Sequence, residues 1–278
     1  MSEVVTLSVE AQVAHVVLNR PDKRNAINLD MFRALADTGD RIASDPSIRA
    51  VVLSGAGDSF CAGIDLSIMS EAGELFAGGG MSPVAPSPAN LFQRAAWVWR
   101  EVPVPVVCAL DGSTFGGGLQ IALGADVRFA ARSTSLSIME VKWGIVPDMA
   151  MLATARDIVP LDRLKELAFT GRILTADEAL EIGLITAVHK DPLAAAVAWA
   201  NEVATKSPDA VRAMKSMFER GYSLPVADAL ALEAATQVGV MSAPNQAEAV
   251  RANLEKRKPE FDDSGRNFAA TDALKDPS

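Results

Sequence analysis

Cysteine, histidine and tyrosine are scarce in this chain of 278 residues. It contains two cysteines, two histidines and one tyrosine. Two cysteines cannot form a disulfide framework, which favours a reducing compartment. The histidines, His15 and His189, lack the spacing of a metal site. No metal is therefore expected, and a chain of this length can stabilise its fold by burying roughly 70–75% of its unfolded surface.

Long apolar runs and basic charge are missing as well. Every apolar run stops well short of the ~20 residues that a membrane helix needs, and residues 1–5 lack the features of a signal peptide. A formal net charge of −9 argues against nucleic acid as a partner, because phosphate binding needs a concentrated basic surface. The motifs of P-loop NTPases and of G-x-S-x-G hydrolases are absent. We expect a cytoplasmic protein without membrane contact.

The apolar pattern predicts a mixed α/β fold. Residues 4–9 and 12–18 alternate apolar and polar side chains, as in a hairpin. Asn28 is predicted to cap a helix over 29–44. Further strands are expected at 50–53, 104–110, 127–130 and 135–138, and further helices at 116–124 and 149–157. We interpret this rhythm as strand-rich turns with helices packed outside.

The later part of the chain is predicted to be almost wholly helical. From about residue 160, helices are expected to stop at a series of glycines and prolines: Gly171, Gly183, Pro192, Pro208, Pro225 and Pro244. Before this, residues 71–90 are rich in glycine and proline, which predicts a mobile loop. The tail after Lys258 is predicted to fray.

Two small-residue loops follow predicted strands. Residues 54–66 read SGAGDSFCAGIDL; the loop either leaves backbone N–H groups free for a phosphate or oxyanion, or is an ordinary strand-to-helix turn. A dinucleotide fingerprint fits it poorly, because the third glycine is missing. Residues 111–120 read DGSTFGGGLQ. Three glycines weaken a helix, so this segment either packs closely against another element or lets a ligand approach the backbone.

A third segment, residues 137–149, carries two acids eight positions apart. It reads SIMEVKWGIVPDM, with Glu140 after a short strand and Asp148 after a glycine-bounded loop. If both face one apolar pocket, their pKa values should separate to give one acid and one base. The alternative is an aspartate that caps a helix and a glutamate on the surface.

Together these segments resemble the crotonase (enoyl-CoA hydratase/isomerase) superfamily over nearly the whole chain. The resemblance is carried by four motifs in order: NRPDKRNAIN at 19–28, FCAGIDL at 60–66, the glycine-rich 112–118 and ELAFTGR at 166–172. It implies a spiral of ββα turns over residues 1–205 that holds an acyl-CoA site, and a helical region over 206–278 that forms homotrimers or dimers of trimers. No cofactor is implied beyond the coenzyme A moiety of the substrate.

The resemblance also assigns site residues. The backbone amides of Ile64 and Gly117 would form an oxyanion hole for the thioester oxygen, where one donor is typically worth ~3–4 kcal/mol of transition-state stabilisation. Coenzyme A would lie along residues that are spread over three segments: Lys23, Arg24, Ala26, Ala62, Asp65, Leu66 and Lys256.

The acids of the pocket depart from the hydratase pattern. Hydratases carry two glutamates, at the positions of Gln120 and Glu140, and only the second is present here. A neutral amide does not exchange a proton near pH 7. Asp148 resembles the second acid of dienoyl-CoA isomerases, although that branch has an aspartate at the position of Gln120. The pattern favours proton transfer by Glu140 and Asp148, with Gln120 orienting the substrate or a water.

Three alternatives stay open. The first is an enoyl-CoA hydratase that uses Glu140. In the second, Asp148 attacks the acyl group or a ring as a nucleophile, as an aspartate of this region does in some relatives. The third is a non-catalytic trimer that binds acyl-CoA.

Overall fold

The computed structural model describes residues 3–68 and 81–264. Strands β1 (Val5–Glu10) and β2 (Val13–Leu18) form the predicted antiparallel hairpin. Both turn residues, Ala11 and Gln12, have positive φ angles of 48° and 68°, which matches the twist of a two-residue hairpin turn.

Strand β2 begins a run of parallel pairings that makes the main sheet. It pairs with β3 (Ala50–Gly55), and β4 (Val106–Leu110), β6 (Val127–Ala131) and β9 (Ala187–His189) follow in the order β1-β2-β3-β4-β6-β9. β3 and β4 are buried almost throughout, because helices cover both faces of a parallel sheet.

A second sheet of three short strands lies beside the first. It consists of β5 (Ser113–Phe115), β7 (Ser135–Ser137) and β8 (Leu174–Thr175) in the order β5-β7-β8. β4 and β6 belong to the main sheet, while the strands that directly follow them, β5 and β7, belong to this one. The chain therefore alternates between sheets, and the mixed α/β fold predicted from the sequence is confirmed.

Ten α-helices can be followed in the described ranges. They are α1 (Leu29–Ala43), α2 (Leu91–Glu101), α3 (Gly117–Gly124), α4 (Met151–Thr154), α5 (Leu161–Thr170), α6 (Ala176–Glu181), α7 (Pro192–Ala204), α8 (Pro208–Gly221), α9 (Val226–Met241) and α10 (Pro244–Glu255). Asn28 caps α1 as predicted, since its side chain accepts a hydrogen bond from the Met31 amide. Short 3-10 turns occupy Pro21–Lys23 and Glu140–Trp143.

Two predictions about helices are corrected. The helix expected over 149–157 is confined to α4, because the preceding Ala150 adopts a left-handed φ of 65° that no α-helix can include. Beyond residue 160 the strands β8 and β9 interrupt the helices. Pro192, Pro208 and Pro244 begin helices rather than end them, because the first helical position needs no N–H donor.

The tail is held to the body as far as residue 264, against the expectation that it frays after Lys258. The Asn245 side chain exchanges two hydrogen bonds with the Asp262 backbone, at 3.0 and 3.1 Å. Arg49 donates to the Phe261 carbonyl at 2.9 Å. Within the predicted loop over 71–90, residues 71–80 lie outside the described residues, and 81–90 form turns closed by a bridge between Pro83 and Asn90. The helices of the described ranges include none long and apolar enough to span a membrane.

Candidate active site

The two small-residue loops are joined edge to edge. The Phe60 amide donates to the Asp111 carbonyl at 2.8 Å, and the Phe115 amide donates to the Cys61 carbonyl at 3.0 Å. A parallel bridge links Cys61 with Thr114. Backbone bonds of this kind leave little freedom between the loops, so each fixes the position of the other.

Ile64 and Gly117, one from each loop, line a cavity of about 230 Å³. A Cβ atom on Gly63 would lie 3.9 Å from the Gly117 nitrogen, which shows how closely the backbones approach. Neither the Ile64 nor the Gly117 amide has a hydrogen-bond acceptor in the part of the chain that the structure describes. The geometry therefore leaves two free N–H donors in loops that border the same cavity.

The glycines of the second loop both allow close packing against the first loop and leave the backbone open to a ligand. A Cβ on Gly118 would lie 2.6 Å from the Cys61 Cβ, so this residue is needed for close packing. Gly116 has a φ of 49°, and a Cβ there would lie 3.3 Å from a Glu140 carboxylate oxygen. Close packing and exposed backbone, which the sequence left as alternatives, are both present.

Glu140 lies at the start of a 3-10 turn and is only 6% exposed. Its Oε1 accepts a hydrogen bond of 2.6 Å from the Gln120 side chain, whereas Oε2 is buried and has no partner among the described residues. Burial raises the pKa of the carboxyl, while its own amide and Gln120 act in the opposite direction. One oxygen of this carboxyl is therefore hydrogen-bonded, and the other is free to accept a hydrogen bond or a proton.

Asp148 lines the same cavity from the segment before α4. Desolvation by surrounding protein atoms raises the pKa of its carboxyl, although the side chain is still exposed. The helix that follows has Ala150 as its N-cap and no side-chain cap. Because Glu140 is buried and Asp148 caps nothing at α4, the alternative of a surface glutamate and a capping aspartate is wrong.

A second cavity of about 420 Å³ shares one described lining residue, Asp148, with the first. Apart from Asp148 and Gln93, its walls are apolar: Pro88, Ala89, Trp97, Val146, Pro147, Ala150, Met151, Leu152 and Ala153. This volume lies within the range of about 300–1,000 Å³ that is typical of small-molecule sites. Its walls come from two segments of chain, 88–97 and 146–153, which no local sequence pattern brings together.

Gln120 projects from α3 and is 1% exposed. Its Oε1 accepts a hydrogen bond of 2.8 Å from the Met149 amide, while its Nε2 binds Glu140. Both ends of the amide are therefore held by protein groups. Its predicted role in orienting a substrate or water stays a prediction.

The residues predicted to bind coenzyme A divide into three groups. Ala26, Ala62 and Leu66 line the 230 Å³ cavity. Lys23 and Arg24 are exposed in and just after the adjoining 3-10 turn. The structure does not bring the last two predicted residues to the cavity wall: Asp65 pairs with Arg20 at 3.0 Å, and Lys256 ends α10 in an exposed left-handed conformation.

Sequence reasoning missed two residues that hold the first loop in place. Arg20 donates hydrogen bonds to the Ala26 carbonyl and to Asp65. Asn25 is fully buried, has a left-handed φ of 55°, and donates to the Ser59 carbonyl at 2.7 Å. Asparagine tolerates this conformation better than most residues, which is the one local signal that could have marked it.

Comparison with known proteins connects this geometry to a family. The family model described as Enoyl-CoA hydratase/isomerase matches residues 8–264. A mitochondrial Delta(3,5)-Delta(2,4)-dienoyl-CoA isomerase of Mus musculus is 34% identical over 266 residues, which cover 90% of this chain and 79% of the relative. A short-chain enoyl-CoA hydratase of Clostridium acetobutylicum is 33% identical, with 92% and 96% covered.

Solved structures agree with these relatives. The crystal structure of an enoyl-CoA hydratase from Bacillus anthracis superposes with a TM-score of 0.86 at 28% identity, covering 94% of this chain and all of the other. One from Mycobacterium abscessus, titled an enoyl-CoA hydratase/isomerase, reaches 0.84 at 30% identity. The chain therefore belongs to the enoyl-CoA hydratase/isomerase family of the crotonase superfamily, and is an enzyme of that family.

Proposed function

We propose that this enzyme shifts double bonds within an acyl-CoA thioester. One of Glu140 and Asp148 removes a proton from the acyl chain, and the other returns a proton further along it. The observation that carries the proposal is the pair of carboxyls on one cavity, with a neutral amide, Gln120, in place of the second hydratase glutamate. Desolvation by surrounding protein atoms raises the pKa of both acids, although Glu140 is buried and Asp148 is exposed. A raised pKa brings a carboxyl closer to neutral pH, where proton transfer is most effective.

The free amides of Ile64 and Gly117 would bind the thioester oxygen. Removal of a proton from C2 of a 3,5-dienoyl group leaves negative charge delocalised over the thioester oxygen and the conjugated chain. Preorganised N–H donors stabilise such charge without reorganising during the reaction. Return of a proton at C6 then yields the 2,4-diene, so the atoms balance without a cofactor or redox partner.

The acyl chain would run past Asp148 into the apolar cavity. This path is supported by the position of Asp148 on both cavities and by the apolar lining of the larger one. Coenzyme A would extend the other way, over Ala26, Ala62 and Leu66 towards the basic side chains of Lys23 and Arg24. Asp65 would then hold the loop through Arg20.

We also propose assembly as a homotrimer or a dimer of trimers through residues 206–278, with residues 1–205 carrying the acyl-CoA site. All residues that line the 230 Å³ cavity precede residue 150. Large apolar side chains stay exposed on α8, on α9 and in the turn between them, including Phe218, Tyr222, Val226 and Leu230. Exposed apolar clusters of this kind are typical of surfaces that bind another protein.

The second candidate function is hydration of a 2-enoyl-CoA by Glu140 alone. It is favoured by the unpaired Oε2 of Glu140, which can activate a water, and by hydratases among the relatives at 32% and 33% identity. It requires one carboxyl both to take a proton from the water that adds at C3 and to return a proton to C2.

A paired assay tests the proposal. Wild-type protein is incubated separately with a 3,5-dienoyl-CoA and with a 2-enoyl-CoA. The first reaction is measured by the gain of conjugated-diene absorbance and the second by the loss of enoyl absorbance. We expect isomerisation, and about a 10²–10⁴-fold fall in kcat for both Glu140→Gln and Asp148→Asn, because each removes one proton-transfer group.

The exposed acids Glu181 and Asp162 provide matched controls. Glu181→Gln and Asp162→Asn make the same chemical changes far from the cavity and should leave turnover unchanged. Hydration by wild type and by Asp148→Asn alike, without isomerisation, would replace the proposal with the second candidate.

A further inference from the structure

The side-chain amide of Gln120 can adopt only one orientation. Its Oε1 accepts from the Met149 N–H at 2.8 Å, and its Nε2 donates to Glu140 Oε1 at 2.6 Å. Exchanging the two amide ends would set an NH₂ group against the Met149 N–H and an oxygen against a carboxylate oxygen. Only the observed orientation therefore satisfies both partners of this side chain, which is 1% exposed.

This orientation makes the two oxygens of Glu140 unequal. Oε1 faces an N–H donor, so a proton on Oε1 would displace that hydrogen bond. Oε2 has no partner among the described residues, and the neighbouring Gly116 leaves space, since even a Cβ there would lie 3.9 Å from Oε2. A proton taken up by Glu140 therefore resides on Oε2.

We infer that Gln120 is a positioning residue: it keeps Glu140 ionised and aimed as the proton acceptor, and it ties Glu140 to the backbone next to Asp148. Met149, whose amide Gln120 holds, directly follows Asp148 in the chain. One buried side chain thus links the segments that carry both acids. This role rests on the proposed function, in which Glu140 accepts a proton from the acyl chain.

The surroundings of Glu140 allow the effect of Gln120 on its pKa to be separated from the effects of other titratable groups. Among the described residues, the 230 Å³ cavity is lined by two titratable side chains, Glu140 and Asp148, and by no lysine, arginine or histidine. Asp148 disfavours the ionised form of Glu140, whereas the Gln120 N–H and the Glu140 amide favour it. Removing the Gln120 donor should therefore raise the pKa of Glu140.

The test is a titration of the Glu140 carboxyl in unliganded protein, followed by ¹³C NMR after glutamate labelling and assigned with Glu140→Gln. Gln120→Met keeps the shape of the side chain and removes both hydrogen bonds. We expect it to raise the pKa of Glu140 by about one to two pH units, the size of a lost hydrogen bond to a charged group. Gln120→Asn, which is one carbon too short to reach both partners, should raise the pKa as well and provides a second variant if Gln120→Met folds poorly.

Gln246→Met is the matched control, because it makes the same change on α10 and should leave the titration unmoved. An unchanged pKa of Glu140 in folded Gln120→Met or Gln120→Asn would overturn the inference. The titration needs no turnover, so it decides the role of Gln120 over Glu140 even if the wild type isomerises nothing. Absent isomerisation would refute the proposed function, whereas isomerisation with an unmoved titration would refute only the role of Gln120.

Discussion

Burial of Glu140 places a functional carboxyl where its ionised form is poorly solvated. The pKa is raised in the folded chain, chiefly by burial, and returns to its ordinary value on unfolding. Between these two pKa values the folded state binds more protons than the unfolded state. The stability of the fold must therefore fall as the pH rises through that window, and no penalty applies below it.

This linkage predicts that Glu140→Gln stabilises the protein at neutral pH while it abolishes proton transfer. Glutamine has the same shape and carries no charge to desolvate. We expect a higher Tm than wild type at pH 7 and a difference that shrinks as the pH falls towards 4, measured by thermal unfolding across pH. A difference that stays constant with pH, or one that grows in acid, would contradict the assigned burial effect.

At the scale of elements, the two loops work as one unit because their backbones are bonded together. Gly112 is essential to this contact: its φ is 53°, and a Cβ would lie 1.9 Å from the Asp58 carbonyl oxygen. Gly144 also has a positive φ, 70°, but a Cβ there would meet nothing within 4 Å. Comparing substitutions at Gly112 and Gly144 therefore separates the effect of backbone conformation from the effect of close packing.

We expect Gly144→Ala to lower the free energy of unfolding by about 1 kcal/mol, the strain of a left-handed alanine. Gly112→Ala should lose about 1–3 kcal/mol more, because the loops must move apart. Urea unfolding measures both losses. Equal losses would mean that the contact between the loops can relax without penalty.

Local elements were predictable from sequence, and contacts between distant segments were not. The hairpin and the Asn28 cap depend on residues within a few positions of each other. The bond between Gln120 and Met149 spans 29 positions, and no periodicity encodes it. The same holds for the bond between Arg20 and Asp65, 45 positions apart. The acids and the loops of the site were identified by their motifs, but the way they are held was not.

For the whole molecule, the fold is shared by relatives named as isomerases and as hydratases. The fold alone therefore leaves the reaction open, and the side chains at positions 120, 140 and 148 must decide it. The two cavities, of about 230 and 420 Å³, share Asp148 as a lining residue. In the proposed reaction, an acyl chain that passes from one cavity into the other would meet both acids, with C2 near one and C6 near the other.

The most direct measurement is to incubate the wild-type enzyme with a 3,5-dienoyl-CoA in D₂O and locate deuterium in the product by mass spectrometry and NMR. Transfer through two solvent-exchanging carboxyls predicts the 2,4-diene with deuterium at C6. If the 3,5-dienoyl-CoA stays unchanged while a parallel sample of a 2-enoyl-CoA in D₂O gains deuterium at C2 and a hydroxyl at C3, the account is contradicted and the enzyme is a hydratase.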